Sequence, residues 1–159
     1  MKKNNISKCL IILFLCFLIM SCYNIGGVLE INIGDYDYHL EAWKSQNMTD
    51  YQIALKFKDR DWFENAVVIV RNGVSESSDP PSWLIKGKLS TVPQVFAFIK
   101  AEEKRLKNAY DGKRTFELYV QYNTEYHYPR YIYSDITSVP FSDTYLQWDV
   151  ELVPFGEGE

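Results

Sequence analysis

The alternation of apolar and polar side chains identifies the strands of this chain. Residues 51–58 alternate, with Gln52, Lys56 and Lys58 on the polar side, which is typical of a strand with one buried face. Residues 62–71 centre on the apolar run 66–70, whose β-branched side chains favour a strand buried on both faces. Asn72 and Gly73 follow directly, and both tolerate positive φ. The pattern therefore predicts a two-residue hairpin turn at this point.

Two segments have helical spacing instead. Residues 36–46 are predicted to form a short helix, and residues 92–108 a longer one whose apolar side chains recur along one stripe. Thr91 and Gln94 have the spacing of a capping box at the start of the longer helix. Gly112 is predicted to follow the end of this helix.

Three more alternating segments follow the longer helix, at residues 115–122, 131–136 and 146–152. The predicted order is helix, strands, helix, strands. Sequential antiparallel strands with helices against them predict an α+β fold of two layers. In this fold a mostly antiparallel sheet carries both helices on one face.

The start of the chain has the pattern of a secretory signal. Lys2, Lys3 and Lys8 precede an apolar run over residues 9–20. The run of about a dozen residues is shorter than the roughly 20 that a membrane-spanning helix needs. Its length and its basic flank favour a signal peptide over residues 1–21. An uncleaved anchor helix is the alternative.

The apolar run closes with Leu18-Ile19-Met20-Ser21-Cys22, which resembles the lipobox of bacterial lipoproteins. Met20 is bulkier than the small residue usual at its position. The resemblance implies a lipid on Cys22. Gly26-Gly27 indicate a flexible lipidated tether over residues 22–34, and the length of the rest predicts a single α+β domain over residues 35–159. The resemblance places the protein in the bacterial envelope, on the outer membrane or the outer face of the cytoplasmic membrane. Residues 28–33 also alternate enough to form a small strand, which would shorten the tether.

Cleavage would change the chemistry of the chain. Cys9 and Cys16 leave with the signal, so the domain has no thiol for a disulfide, a metal or a nucleophile. The loss of the three signal lysines shifts the formal net charge from -4 to -7. An acidic domain argues against nucleic acid as a partner. We expect no cofactor and no metal site.

Catalytic motifs are missing from the sequence. His39 and His127 are the two histidines, and neither lies in a recognised motif. The chain has no G-x-S-x-G, no H-E-x-x-H and no phosphate-binding glycine loop. We therefore expect a non-enzymatic binding domain. The alternative is a hydrolase-like enzyme or enzyme accessory centred on His127 with a carboxylate such as Glu125.

Aromatic and basic residues cluster over residues 126–131. The candidate binding residues in this segment are Tyr126, His127, Tyr128 and Arg130. Such side chains provide a large contact area at low entropic cost and suit a protein, peptide or glycan. The simpler interpretation is that alternating tyrosines cover one sheet face while Pro129 sets the turn.

Trp83 is a further candidate, because it follows a polar, proline-containing loop. On such a loop a tryptophan can be an exposed anchor for a partner. The alternative is that it packs back over the edge of the sheet.

A series of aromatic residues, turn residues and short motifs occurs along the chain in this order: Trp43, Tyr51, Val70-Arg71-Asn72-Gly73-Val74, Ser90-Thr91-Val92, Phe96, Ile99, Tyr122, Tyr128-Pro129, Ile132 and Ser142-Asp143. In this order they resemble the domain-of-unknown-function family 6174, over most of residues 36–153. The resemblance implies a small bacterial secreted protein, often a lipoprotein, of no established activity. Many members carry a cysteine pair after the first strand, whereas residues 58–62 of this chain contain none. Any role of that pair is absent here.

Overall fold

The computed structural model describes residues 26–59, 62–76, 89–138 and 142–155. The predictions on the signal peptide, Cys22 and Trp83 lie outside these residues. Within them the chain has an α+β fold with a seven-stranded, mostly antiparallel sheet and two helices. Neither of these helices has the length and apolar character that a membrane span requires.

The elements follow in this order: β1 (Leu29–Asn32), α1 (Tyr36–Ser45), β2 (Tyr51–Asp59), β3 (Trp62–Arg71), β4 (Val74–Ser75), α2 (Val92–Ala109), β5 (Thr115–Tyr122), β6 (Pro129–Ser138) and β7 (Ser142–Pro154). Across the sheet the strands lie in the order β1-β5-β6-β7-β2-β3-β4. β1 runs parallel to β5, and every other pair is antiparallel.

The prediction that a helix comes first was wrong, because β1 precedes α1. The short alternation that sequence analysis noted over residues 28–33 forms this strand. Leu29 pairs with Phe116 and Ile31 with Leu118, so apolar side chains of the two strands are neighbours. Residues 29–32 of the predicted tether therefore belong to the sheet.

Gly27 brings the chain close to β5 before β1 begins. Its N–H donates to the carbonyl of Gly112 over 2.9 Å. A Cβ at Gly27 would collide with the backbone of Arg114. This close approach requires glycine, and it fixes where the chain enters the sheet.

The strand register gathers apolar side chains on one side of the sheet, called here the first face. The buried residues of this face are Tyr51, Ile53, Leu55, Ala66, Val68, Val70, Phe116, Leu118, Val120, Ile132, Val150 and Leu152. Helix α1 contacts the first face, and it also contacts α2. Trp43 of α1 packs edge-on against Tyr51 with ring centroids 5.5 Å apart, and Tyr36 packs in the same way against Phe96 of α2.

The expectation that β3 is buried on both sides was wrong. Val68 and Val70 are buried, but Val67 is 58% exposed and Ile69 is 39% exposed. Val67 and Ile69 lie on the opposite side of the sheet, called here the second face. β-branched residues favour an extended backbone whether or not the side chain is covered, so composition identified the strand but not its burial.

The turn and helix-end predictions had mixed outcomes. The hairpin turn is confirmed, since Asn72 and Gly73 have φ of 49° and 75°. The capping box is not formed as predicted. The Gln94 carboxamide oxygen accepts from the Ser90 N–H over 2.8 Å, and the Thr91 side chain makes no capping hydrogen bond.

A polar cluster is buried between α2 and the sheet. Glu102 is 5% exposed and Ser134 is 2% exposed. The Ser134 hydroxyl donates to the Glu102 carboxylate over 2.6 Å. The Arg105 guanidinium makes two hydrogen bonds to the same carboxylate, over 2.8 and 2.6 Å. The charge of Glu102 is thus paired, and α2 is fixed in register over β6.

Replacing Glu102 with alanine should leave the Ser134 hydroxyl buried without this partner. We expect Glu102→Ala to lower the free energy of unfolding by about 1–3 kcal/mol in urea titrations. Glu41→Ala is the matched control, because Glu41 pairs with Lys44 on the exposed side of α1. It should cost only about 0–1 kcal/mol. Equal losses in the two variants would contradict a stabilising role for the buried cluster.

Candidate functional site

The loop between β5 and β6, residues 123–128, contains most of the predicted candidate residues. Asn123 organises its turn. The side-chain carbonyl of Asn123 accepts from the N–H groups of Glu125 and Tyr126, over 2.8 and 2.7 Å. Its own N–H donates to the carbonyl of Tyr128 over 2.8 Å. Asparagine suits this position because its short side-chain carbonyl can accept the hydrogen bonds that a backbone carbonyl accepts in an ordinary turn.

His127 lies near the end of this loop with a left-handed backbone, φ 60°. Non-glycine residues adopt this conformation at an energetic cost and rarely without support from their surroundings. Here the side chain reaches His39 on α1, with the two Nδ1 atoms 3.2 Å apart. One nitrogen donates and the other accepts, according to the tautomer. The two histidines of the chain thus meet although they are 88 positions apart in the sequence.

Aromatic rings hold both imidazoles in place. His39 stacks on Tyr122 of β5, with centroids 4.1 Å apart and planes 8° apart. The Tyr122 hydroxyl donates to the carbonyl of Ile33 over 2.9 Å. Tyr38 packs edge-on against His127 at 5.4 Å. The imidazoles themselves are half-buried, so solvent reaches this histidine pair.

The surroundings favour neutral imidazole at His39. Burial lowers its pKa below the usual value, and the neighbouring His127 lowers it further. The carboxylate of Asp35 acts in the opposite direction but is the smallest of these effects.

The structure separates the candidate residues of segment 126–131. Tyr126 is half-buried and packs against the core. Tyr128 is 5% exposed, and its hydroxyl accepts from the Leu152 N–H over 3.4 Å. Arg130 is exposed. Tyr128 thus packs against the core, but it also lines, together with Arg130, the concavity described below, whereas His127 contacts His39.

Glu125 was the carboxylate predicted to assist His127 in an enzyme. Its side chain is exposed and accepts a hydrogen bond from the Tyr126 hydroxyl, which raises the pKa of Tyr126. The ring nitrogen of His127 instead has the His39 imidazole as its partner. The arrangement differs from a carboxylate–histidine pair.

A shallow concavity of about 410 Å³ lies beside β6, β7 and β2. Its charged lining consists of Lys56, Arg130, Asp149 and Glu151. Strand register places Lys56 directly opposite Asp149 on the second face. Cations and carboxylates are thus interspersed, which suits a partner with charges of both signs better than a simple anion.

Tyrosines lie next to this concavity on the second face. Tyr119 pairs with Tyr133 across β5 and β6, and its ring packs against Tyr131 at 6.3 Å. Burial raises the pKa of Tyr133 to about 12, with a further contribution from Asp135. Burial also raises the pKa of Tyr131, assisted by Asp149. Both hydroxyls stay protonated at neutral pH, and that of Tyr133 donates to the Asp135 carboxylate over 3.2 Å.

Aliphatic side chains continue the second face beyond the concavity. Val67 is 58% exposed, Ile69 is 39% exposed and Val153 is 49% exposed. Register joins them into one area, because Gln52 pairs with both Ile69 and Val153. Tyrosines, a mixed-charge concavity and aliphatic side chains therefore follow one another across a single surface.

No cluster of three or more His, Cys, Asp or Glu side chains that could hold a metal ion occurs in the described part of the chain.

No family model, no curated protein and no solved structure matches the chain. The resemblance to domain-of-unknown-function family 6174 therefore stays a prediction.

Sequence reasoning missed the histidine pair, and it considered tyrosines on one sheet face only as the structural alternative to a binding site. No spacing rule links His39 to His127, because their contact depends on how α1 packs against the end of β5. The second face had a signal, since the alternation over residues 115–122 puts Tyr119 on the opposite side of the strand from Leu118 and Val120. What was missing was the strand order, which brings Tyr119 beside Tyr131 and Tyr133.

We expect the stability of the domain to fall as the pH drops below the usual histidine pKa of about 6.5. The pKa of His39 is lowered in the folded state, so the unfolded chain binds this proton at higher pH. The contribution of His39 is therefore complete above that value and is lost as the pH falls towards the folded pKa. Urea titrations at about pH 7.5 and about pH 5.5, in metal-free buffer, measure the difference.

His39→Gln is the control for this pH effect, because it removes the titrating group while keeping a polar side chain. The variant should lose less stability between the two pH values than the unmodified protein. The same loss in both proteins would assign the pH dependence to other groups.

Proposed function

We propose that this protein is a membrane-tethered lipoprotein of the bacterial envelope whose domain binds a partner without catalysis. The observation that carries the proposal is the second face, on which tyrosines, mixed charges and exposed aliphatic side chains form one surface. The sequence admitted a protein, a peptide or a glycan as the partner. The exposed Val67, Ile69 and Val153 favour a protein or peptide, because a glycan would make little use of aliphatic area.

The proposal includes a two-layer arrangement in which α1 and α2 both cover the first face. Its support is the set of contacts that Trp43 and Glu102 make with Tyr51 and Ser134, which belong to strands β2 and β6. Such an arrangement leaves the second face to a partner. Antiparallel sheets commonly have one covered and one solvated face.

The alternative was a hydrolase-like enzyme or enzyme accessory built on His127 and Glu125. The contact of Glu125 with the Tyr126 hydroxyl and of His127 with His39 supports binding over that alternative. The concavity of the second face is lined by residues other than the two histidines.

A lipid on Cys22 would hold the domain close to the membrane. Gly27 is already hydrogen-bonded to Gly112, just before β5. The segment that links Cys22 to the domain is therefore shorter than the 22–34 tether that the sequence predicted. The five residues from Cys22 to Gly26 span at most about 18 Å. Because β1 runs parallel to β5, the chain enters where β5 begins, and loop 123–128 lies at the far end of that strand.

Site-specific photocrosslinking in native envelopes tests the second face as the binding surface. A crosslinking residue at Tyr119, which is 39% exposed, should capture a defined protein. The matched control is Tyr110, which is 37% exposed and packs against Phe116 on the helix side. It should give no such adduct.

The captured protein is then purified and its affinity is measured by calorimetry. Val67→Glu should weaken binding by roughly tenfold or more, since it places a charge in the aliphatic part of the surface. Equal capture from Tyr110, or unchanged affinity in Val67→Glu, would overturn the proposed surface. Selective binding of envelope glycan fragments at Tyr119 would instead assign a glycan partner.

Lipidation has its own test, independent of the partner. Cys22→Ser should abolish incorporation of labelled fatty acid and release the protein from the membrane fraction, because one lipid-bearing residue supplies the anchor. Intact mass of the membrane-extracted protein should show a chain that begins at a modified Cys22. A chain that retains an unmodified Met1 start would refute the lipoprotein assignment.

A further inference from the structure

The histidine pair is a chemical feature that the proposed binding function does not use. The sequence predicted no metal site, because the domain lacks thiols and neither histidine lies in a recognised motif. The structure nevertheless brings His39 of α1 and His127 of loop 123–128 to an Nδ1–Nδ1 distance of 3.2 Å. Imidazole nitrogen is the commonest protein ligand for transition metals.

We propose that His39 and His127 form a binding site for one divalent transition cation of the Zn²⁺ type, held by both Nδ1 atoms.

The distance between the two nitrogens fits this geometry. Zinc lies roughly 2.0–2.1 Å from a histidine nitrogen, and tetrahedral ligands subtend about 109°, so two such nitrogens lie about 3.3–3.4 Å apart. The observed separation is 3.2 Å, shorter than this value by about 0.1–0.2 Å, so a small movement of either ring would admit the cation. A cation would replace the proton that the two nitrogens otherwise share.

The rings are also oriented in advance. Stacking on Tyr122 fixes the plane of His39, and the edge of Tyr38 contacts His127. The left-handed backbone of His127 aims its side chain at α1. Little ordering is therefore needed when the cation binds, and oriented ligands raise metal affinity.

The chemistry of the ligands selects the class of cation. Two imidazoles suit Zn²⁺, Cu²⁺ or Ni²⁺, whereas Mg²⁺ and Ca²⁺ prefer oxygen ligands. No third His, Cys, Asp or Glu side chain of the described residues joins the pair. The cation would keep solvent or a small ligand in its remaining positions, as open zinc sites do.

Calorimetric titration of the full-length, tag-free chain in detergent with Zn²⁺ tests the site. We expect one equivalent of Zn²⁺ to bind, with a rise in melting temperature, while Mg²⁺ at the same concentration has no effect. His39→Gln and His127→Gln should each weaken binding by roughly tenfold or more. Glu125→Gln is the matched control from the same loop and should bind as the unmodified chain does.

X-ray absorption of the Zn²⁺-loaded, unmodified chain gives a readout that needs no variant. The expected spectrum contains two imidazole ligands at roughly 2.0 Å. Sulphur scatterers would assign Zn²⁺ to the cysteines, and a spectrum without imidazole would also overturn the site. So would the absence of binding, or unchanged binding in a His39→Gln/His127→Gln double variant.

Discussion

The pairing of β2 with β7 is the interaction on which the rest of the structure depends. β7 comes last in the chain, yet it lies between β6 and β2 and joins two sets of strands into one sheet. Ile53 pairs with Leu152 and Leu55 with Val150, so the contact is apolar on the first face. Because the two strands are far apart in sequence, closing them costs chain entropy that burial of this face must offset. No disulfide contributes in the thiol-free domain that the sequence predicts.

The same pairing creates the candidate binding surface. Its register sets Lys56 opposite Asp149, while β6 brings Tyr131 to the other side of Asp149. A shift of one residue would turn these side chains to the first face and bury them without compensation. The core and the surface therefore depend on one register. The histidine pair depends instead on how α1 packs at the end of β5, and loop 123–128 contributes to both sites, since its Asn123 and Tyr128 also line the concavity.

Much of the fold was predictable, because strands and helices follow from local periodicity. Residues 51–58 and 115–122 were identified as strands from alternation alone, and Asn72-Gly73 as a hairpin turn. The first strand was only an alternative to a tether, since four residues carry a weak periodic signal. The exposure of Val67 was not predictable, because a β-branched run looks the same whether one or both sides of the strand are covered.

The sequence by itself determined the α+β class, most element positions and the absence of catalytic motifs, since each depends on residues that are near one another in the chain. The proposed lipid anchor on Cys22 also rests on sequence alone. Only the tertiary structure decided the strand order, the composition of the second face and the contact between His39 and His127. These depend on which distant segments pair, and the free energy of that pairing is distributed over the whole core. Periodicity shows which side of a strand is apolar, but it does not identify the element that covers that side.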